Sequence, residues 1–352
     1  MAKDILLCEG APRMPPIKPI TADSFPTPDL IKVTNNPAAW DQLERFSHVQ
    51  ALAANRALST LTELIDRQRV SAPEAFERVY LEVSAWRHAV AQEKSGQRPG
   101  AAPEHYKREI RYNVDLFGPG VRRDGSWLDF ETAAFVGGRP TPGSRVSERL
   151  PKVALARLAA EAPDADFLRT IVRLPDGRQV AGNMLMRGTA VGMNCFNVDR
   201  SFDGLVATVT AERAERAQLR LTGFEALAHL NDMRATGNLQ PPHDEDARQL
   251  FADAAYYLYQ GPQFHRGSDA TTRVLLAAAH TRIFGAPPRL PHDVDVQAYV
   301  VGQQTFRDHM RLNLTVVPGQ AVAVPRTTTP RNLAATPSQL RQSRDAIVQR
   351  ER

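Results

Sequence analysis

Pro262-Gln-Phe-His-Arg-Gly-Ser-Asp-Ala-Thr-Thr-Arg273, continued by Val-Leu-Leu-Ala-Ala-Ala-His-Thr-Arg-Ile-Phe up to Gly285, is the stretch on which the reading of the fold turns. Arg266-Gly267 reads as a short loop and Ser268 as an N-cap. Val274, Leu275, Ala278, Ile283 and Phe284 keep helical spacing until Gly285 and Pro287-Pro288 end the helix. Such a helix start presents unpaired backbone N–H groups and the positive end of the helix dipole, so it can hold a phosphate. Arg266, just before the cap, and Arg273, a turn and a half inside, carry guanidinium groups suited to the same anion. A nucleotide-containing ligand is the expected occupant. A well-capped core helix with solvated arginines would use the same residues, and cap plus arginine alone does not separate the two.

The same run resembles the signature of the Fido superfamily (Fic, Doc and AvrB), His-Pro-Phe-x-x-Gly-Asn-Gly-Arg-x-x-Arg. Phe264, Gly267 and Arg273 stand in matching places. Pro262 stands where the Fic general base is His, Ser268 replaces Asn, Asp269 replaces Gly and Ala270 replaces the first Arg, so this is not a working Fic adenylylation motif. The departures are similar to the AvrB branch, type III effectors of plant-pathogenic bacteria, in which an Arg-Gly-Ser run opens this helix as Arg266-Gly267-Ser268 do here. Asn55-Arg56-Ala57, the Phe76-Glu77 turn and the helix leading to Trp86-Arg87, the run Asn194 to Val198, Tyr256-Tyr257 and Pro287-Pro288 look like AvrB landmarks in the right order. The resemblance covers roughly residues 50 to 312.

The chain of 352 residues is long enough for one large or two modest domains, and 42% hydrophobic content fits a globular protein. No apolar run approaches a membrane span, and no basic-then-apolar Sec signal opens the chain. Cys8 and Cys195 are read as free thiols rather than a disulfide framework. The charge of +5 is carried mostly by Arg, with Lys only at 3, 18, 32, 94, 107 and 152, and no basic aromatic surface motif points to nucleic acid.

Working outward, Ala38 to about Arg69 is predicted helical, broken by Val70-Ser71-Ala72-Pro73, with a second helix from about 73 to 93 carrying Phe76, Val79, Tyr80, Val83 and Trp86 on its apolar stripe. Asn55, Arg56 and Arg87 are the polar residues of note there. Residues 1 to about 37, rich in Pro, Ser, Thr and Asp, read as a disordered leader of the kind type III secretion uses. Ala2 rather than Gly follows Met1, so the N-myristoylation motif is absent. From about 95 to 150 the chain reads as a loop-rich insertion with strand-like pieces at Ile110–Val114 and Trp127–Phe130, and Thr141, Ser144 and Ser147 are candidates to line a cleft.

Two extended runs, 168 to 173 and 178 to 186, joined by Leu174-Pro-Asp-Gly177, predict a β-hairpin, either an active-site flap or part of the inserted lobe. Residues 203 to about 235 are predicted helical with a bend at Gly223. A loop follows, and Asp244 or Asp246 caps the next helix, whose buried face is Leu250, Phe251, Ala254, Ala255 and Leu258. Tyr256, Tyr257 and Tyr259 either stack on a base or sugar or belong to the core. A last helix is expected from about 293 to 312, and beyond Val317 a mobile tail, residues 318–352.

The nine histidines show no metal-ligand spacing, and no Walker loop, Gly-x-Gly-x-x-Gly or Gly-x-Ser-x-Gly occurs. His265 is either a displaced base or a solvent-exposed loop histidine. The expected fold is therefore mainly α with a small β component (α+β), with residues 38–317 as one domain. The AvrB resemblance implies a Fido-like helical core with an inserted upper lobe. It further implies transfer of a glycosyl group, from a nucleotide sugar, to a host protein that regulates plant immunity, inside the host cytosol. In that scheme Arg266 clamps the diphosphate and stabilises the leaving charge, Gly267, Ser268 and the helix amides hold its oxygens, Arg273 buttresses or contacts it, and His265, Asp269 and Tyr257 complete the site. Two alternatives stand beside it: an inactive Fido pseudoenzyme that grips a peptide, and a nucleotidyl (AMP) transferase.

Overall fold

A helix whose apolar residues fall on every side has to be surrounded by protein. In the computed structural model the Ser268–Phe284 helix is: from Thr271 to Ile283, only Arg282 escapes burial. The structure describes residues 17–25, 37–93, 102–111, 114–117, 135–136, 139–140, 142–191, 204–239 and 244–314. The chain divides at Thr315, and all of these residues lie in the first unit.

In chain order the elements are α1 (Pro37–Thr62), α2 (Ala72–Glu93), β1 (Val114–Phe117), β2 (Phe135–Val136), β3 (Arg139–Pro140), α3 (Pro142–Glu161), β4 (Phe167–Arg173) and β5 (Gln179–Arg187). After a helical turn at Gly188–Val191 come β6 (Val206–Val209), α4 (Arg213–Ala235), α5 (Glu245–Gln260), α6 (Ser268–Phe284), α7 (Val294–Val300) and α8 (Gln303–Leu314). The architecture is mainly α with a small β component, as predicted. Helices α1, α2, α4 and α5 all pack on α6. The strands form an antiparallel sheet in the order β1-β6-β5-β4, and β2 pairs with β3 separately.

Local sequence explains most boundaries. α1 runs into a single π turn, Glu63–Arg67, which closes when Val70 N donates to Leu64 O at 3.0 Å and Arg69 turns left-handed at φ 57°. The Ser71 carbonyl accepts Ala75 N at 2.9 Å, seating Pro73 in the first turn of α2, where its missing N–H is harmless. The predicted hairpin is β4–β5, and Gly177, at φ 85°, makes the turn that lets Leu174 N donate to Arg178 O at 2.8 Å. It is fastened to the helices by a buried amide pair. Gln260 Oε1 accepts Asn183 N at 2.8 Å, Gln260 Nε2 donates to Asn183 Oδ1 at 2.9 Å, and Asn183 Nδ2 donates to Tyr299 O at 2.7 Å. Asp244 caps α5 by accepting Ala247 N at 2.9 Å, as expected.

Several expectations are corrected. The leader was expected not to pack, yet Ile20 and Phe25 are buried in the core, Lys18 N donates to Gly285 O at 2.8 Å, and Asn55 Nδ2 donates to Ile20 O at 2.7 Å. Two large apolar side chains offset the entropy that the prolines alone would not. The stretch from 203 opens as strand β6 rather than helix, because Val206, Ala207 and Thr208 are buried on both faces of a sheet. Gly223 lies inside the continuous helix α4. A Cβ there would meet Leu258 Cγ at 2.8 Å, so the glycine serves the close approach of α4 and α5.

The last predicted helix is two, α7 and α8, divided at Val301-Gly302. α3 was not predicted at all: Gly143 and Pro151 disguise it, although Leu150, Ala154 and Leu158 form a buried i, i+4, i+8 stripe.

Residues 1–16 and 26–36 of the leader, Cys8, Cys195, Trp127–Phe130, the side chains of Thr141, Ser144 and Ser147, the Asn194–Val198 run, the loop at 240–243 and the tail 318–352 lie outside the described residues. Among those described, no helix is long and apolar enough to cross a membrane.

Candidate functional site

The start of α6 is built around Gly267. Its backbone sits at φ 80°, in the left-handed region, and it is Gly267 rather than Ser268 that occupies the cap position. Ser268 is the first helical residue, and its hydroxyl turns back to donate to Phe264 O at 2.7 Å, so the predicted serine cap is corrected. The first helical bond runs from Thr271 N to Gly267 O at 2.9 Å. The N–H groups of Ser268, Asp269 and Ala270 come before it and have no acceptor within the helix.

The approach to this terminus is lined by a segment that sequence reading left inside the insertion. Residues 102–111 run antiparallel to 262–266. Ile110 N donates to Gln263 O at 2.9 Å, His265 N to Arg108 O at 3.1 Å, and Arg266 N to His105 O at 3.2 Å. Buried Arg216 of α4 fixes the segment from below by donating to the carbonyls of Ile110 and Ala211. This pairing brings His105, Tyr106 and Arg108 beside His265 and Arg266. The His105 and His265 rings lie 6.1 Å apart, centre to centre.

Arg87 of α2 completes the wall. Its guanidinium lies 4.4 Å from the centre of the Tyr106 ring and Nη2 donates to the Tyr106 hydroxyl at 3.3 Å. A Cβ on residue 267 would fall 2.7 Å from Arg87 Cγ and 2.7 Å from Tyr106 Cδ1, so both side chains lie against the glycine. Arg87 Nε is buried and has no hydrogen-bond partner. Burial is the largest influence on the Arg87 guanidinium and makes its charged form costlier to hold, while Tyr106 works the other way. Among the described residues neither Arg87 nor Arg266 is given a carboxylate partner.

Of the residues expected at the site, the structure brings Arg266, Gly267, Ser268 and His265 together and turns two others inward. Arg273 is 2% exposed, ion-paired to Asp269 Oδ1 at 2.8 Å, and donates to the carbonyls of Pro291 and His292 at 2.7 and 2.8 Å. With its donors taken by protein it buttresses α6 and does not contact an anion. Asp269, half-buried, is neutralised by that same arginine, so it does not oppose an anion as a bare carboxylate would.

Tyr257 is corrected: it is buried in the core, donating from its hydroxyl to Arg173 O at 2.9 Å and accepting from Gln303 Nε2 at 3.3 Å, a position from which it cannot stack on a ligand at α6. Tyr256 and Tyr259 are buried likewise.

The electrostatics are one-sided. His265 is held below the ordinary histidine pKa of 6.5, first by burial and then by Arg108, His105, Arg266 and Arg216; no carboxylate is among the influences on it. Glu109 of the segment is ion-paired with Arg213 at 2.6 Å, while Glu104 lies exposed. Its lowered pKa leaves His265 neutral at pH 7, able to accept a proton or hydrogen bond. The arrangement suits an anion with several oxygens: free amides at a helix start, two arginines from different elements, and two imidazoles.

Arg87 was singled out from sequence as a polar residue of its helix. His105, Tyr106 and Arg108 were not, since only a pairing across more than 150 positions, Glu109 with Phe264, brings them in. No family model matches the chain, and no curated protein matches it.

Proposed function

We propose that the start of α6 binds the phosphates of a nucleotide or nucleotide sugar, and that the chain is an AvrB-like type III effector with a Fido-like core that transfers a group, glycosyl ahead of nucleotidyl, to a hydroxyl of a host protein. The observation that carries the phosphate half is the placement of Arg87 against Gly267 and of Arg266 directly before it, at a helix start whose first three N–H groups have no acceptor within the helix and where, among the described residues, no ion pair joins either arginine to a carboxylate. The donor chemistry and the host target rest on the resemblance of Pro262–Arg273 and its flanking landmarks. In this reading Arg266 and Arg87 hold the diphosphate, the amides of Ser268, Asp269 and Ala270 take oxygens, and Arg273 with Asp269 keeps the helix start rigid. Charge stabilisation of the leaving diphosphate is the main catalytic contribution.

The binding-module reading has one observation in its favour. The hydroxyl of Ser268 and the carboxylate of Asp269, which replace the polar centre of the Fic signature, are spent on Phe264 O and Arg273.

The test is thermal stabilisation by a panel of nucleoside diphosphates, triphosphates and nucleotide sugars, with Arg266→Ala and Arg87→Met alongside. A ligand at one hundred times its dissociation constant adds about 2.7 kcal/mol. A rise in Tm with one nucleotide class, lost in both variants, supports the reading and names the donor with which to search for a modified target. No rise with any member of the panel overturns it and leaves the peptide-binding module.

A further inference from the structure

The contact between residues 102–111 and 262–266 joins two segments far apart in sequence by backbone bonds, and among the described residues the charged groups that act on His265 are all basic. Ile110 N, His265 N and Arg266 N are the donors across it, at 2.9, 3.1 and 3.2 Å. Facing His265 are His105 and Arg108 from the opposite segment, Arg266 from its own loop, and Arg216 from α4; Arg87 of α2 stands over the adjoining Gly267. Of the acids nearby, Glu109 is paired with Arg213 and Asp269 with Arg273, and Glu104, exposed next to His105, is not among the groups that act on His265.

We propose that this junction is an acid-labile clasp: protonation of His265 opens the 102–111 segment away from the α6 loop, and a polyanionic phosphate bound there re-locks it. The anion half rests on the phosphate-binding reading above; the acid half does not. Placing a positive charge on His265, beside Arg108, Arg266 and Arg216, favours whichever state separates them, and the open state takes the proton more readily because it returns the ring to water. Burial and the surrounding arginines already hold His265 below its ordinary value, which is the direction this requires. Stability of the clasp is therefore full above about pH 6.5, the ordinary histidine value, and declines as pH falls below it. An anion supplies the missing counter-charge, so it opposes the opening and is itself bound more tightly by the protonated site.

Amide hydrogen exchange on the full chain tests this, read as protection factors at Ile110, His265 and Arg266, with amides of the buried stretch Thr271–Ile283 as internal reference. Between pH 7.5 and 5.5 protection at the three amides should fall up to about tenfold relative to the reference, the limit for uptake of one proton. The fall should vanish in His265→Gln, and pyrophosphate should reverse it in the unaltered protein. Protection independent of pH, or an equal fall in His265→Gln, overturns the clasp. If acid opens the junction but pyrophosphate at millimolar concentration does not close it, the clasp stands and the re-locking half is overturned, together with the phosphate reading of the site.

Discussion

Gly267 shows how much the candidate site asks of one residue. A side chain there would have to adopt φ 80° and would meet Arg87 and Tyr106 at 2.7 Å. Left-handed strain of about 1 kcal/mol and overpacking of a further 1 to 3 kcal/mol both act, so Gly267→Ala is expected to lose roughly 2 to 4 kcal/mol in urea unfolding. Gly177, at φ 85° with nothing within 4 Å, isolates the strain component, and Gly177→Ala should lose only about 1 kcal/mol. Equal losses for the two would show that Arg87 and Tyr106 do not press on Gly267.

Asp269 provides a second residue-scale prediction. Arg273 is fully buried against it, so Asp269→Ala leaves that cation hydrogen-bonded only to the carbonyls of Pro291 and His292, with Asp293 as its remaining nearby carboxylate, and should cost about 3 kcal/mol. A loss below 1 kcal/mol would mean that Arg273 does not need its partner.

At the scale of elements, α4 and α5 meet through Gly223 and Leu258. In an exposed helix Gly→Ala stabilises by about 0.5 to 1 kcal/mol. Here the added methyl would lie 2.8 Å from Leu258 Cγ and 3.3 Å from Ala254 O, and packing strain should win, giving Gly223→Ala a net loss of about 1 kcal/mol. A gain would show that Leu258 does not crowd Gly223.

This pair also shows what was legible beforehand. Where one element's own period and punctuation decide the outcome, as in α2, the Asp-Gly hairpin, the Asp244 cap and the apolar length of α6, reading the sequence sufficed. Where a second element decides, it did not. Gly223 is explained only by Leu258, the Ser268 hydroxyl only by the Phe264 carbonyl, the packing of residues 17–25 only by Asn55 and Gly285, and β6 only by its neighbours β1 and β5. The candidate site divides the same way. Arg266, Gly267, Ser268 and His265 were visible as a run, while His105, Tyr106 and Arg108 enter through a bridge from Glu109 to Phe264 that leaves no local trace.

Across the whole molecule, α6 couples the site to the core, because its first turn carries the free amides and its last turns are buried under α5. His280 lies there, its ring 4.9 Å from that of Phe251 and 4.5 Å from that of Phe284, with Nδ1 bonded to Ala286 O at 2.5 Å. Burial pushes its pKa down to about 4 from 6.5. The unfolded chain therefore takes up a proton that the folded chain refuses, and stability should decline by roughly 3 kcal/mol as pH falls from 6.5 to 4. Asp66, held below 3.8 chiefly by its bond from Arg282, adds its own loss only at more acid pH. Urea midpoints across this range, compared with His280→Leu, check the assignment; an unchanged slope in the variant would place the acid sensitivity elsewhere.

The central claim, that anionic phosphate is received at the start of α6, is tested most directly by titrating a nucleoside diphosphate into isotopically labelled protein and following backbone amides. Saturable shifts at Ser268, Asp269 and Ala270, with His265 moving alongside them and all lost in Arg266→Ala, are the predicted result. Shifts confined to other parts of the chain, or none at millimolar ligand, would contradict it.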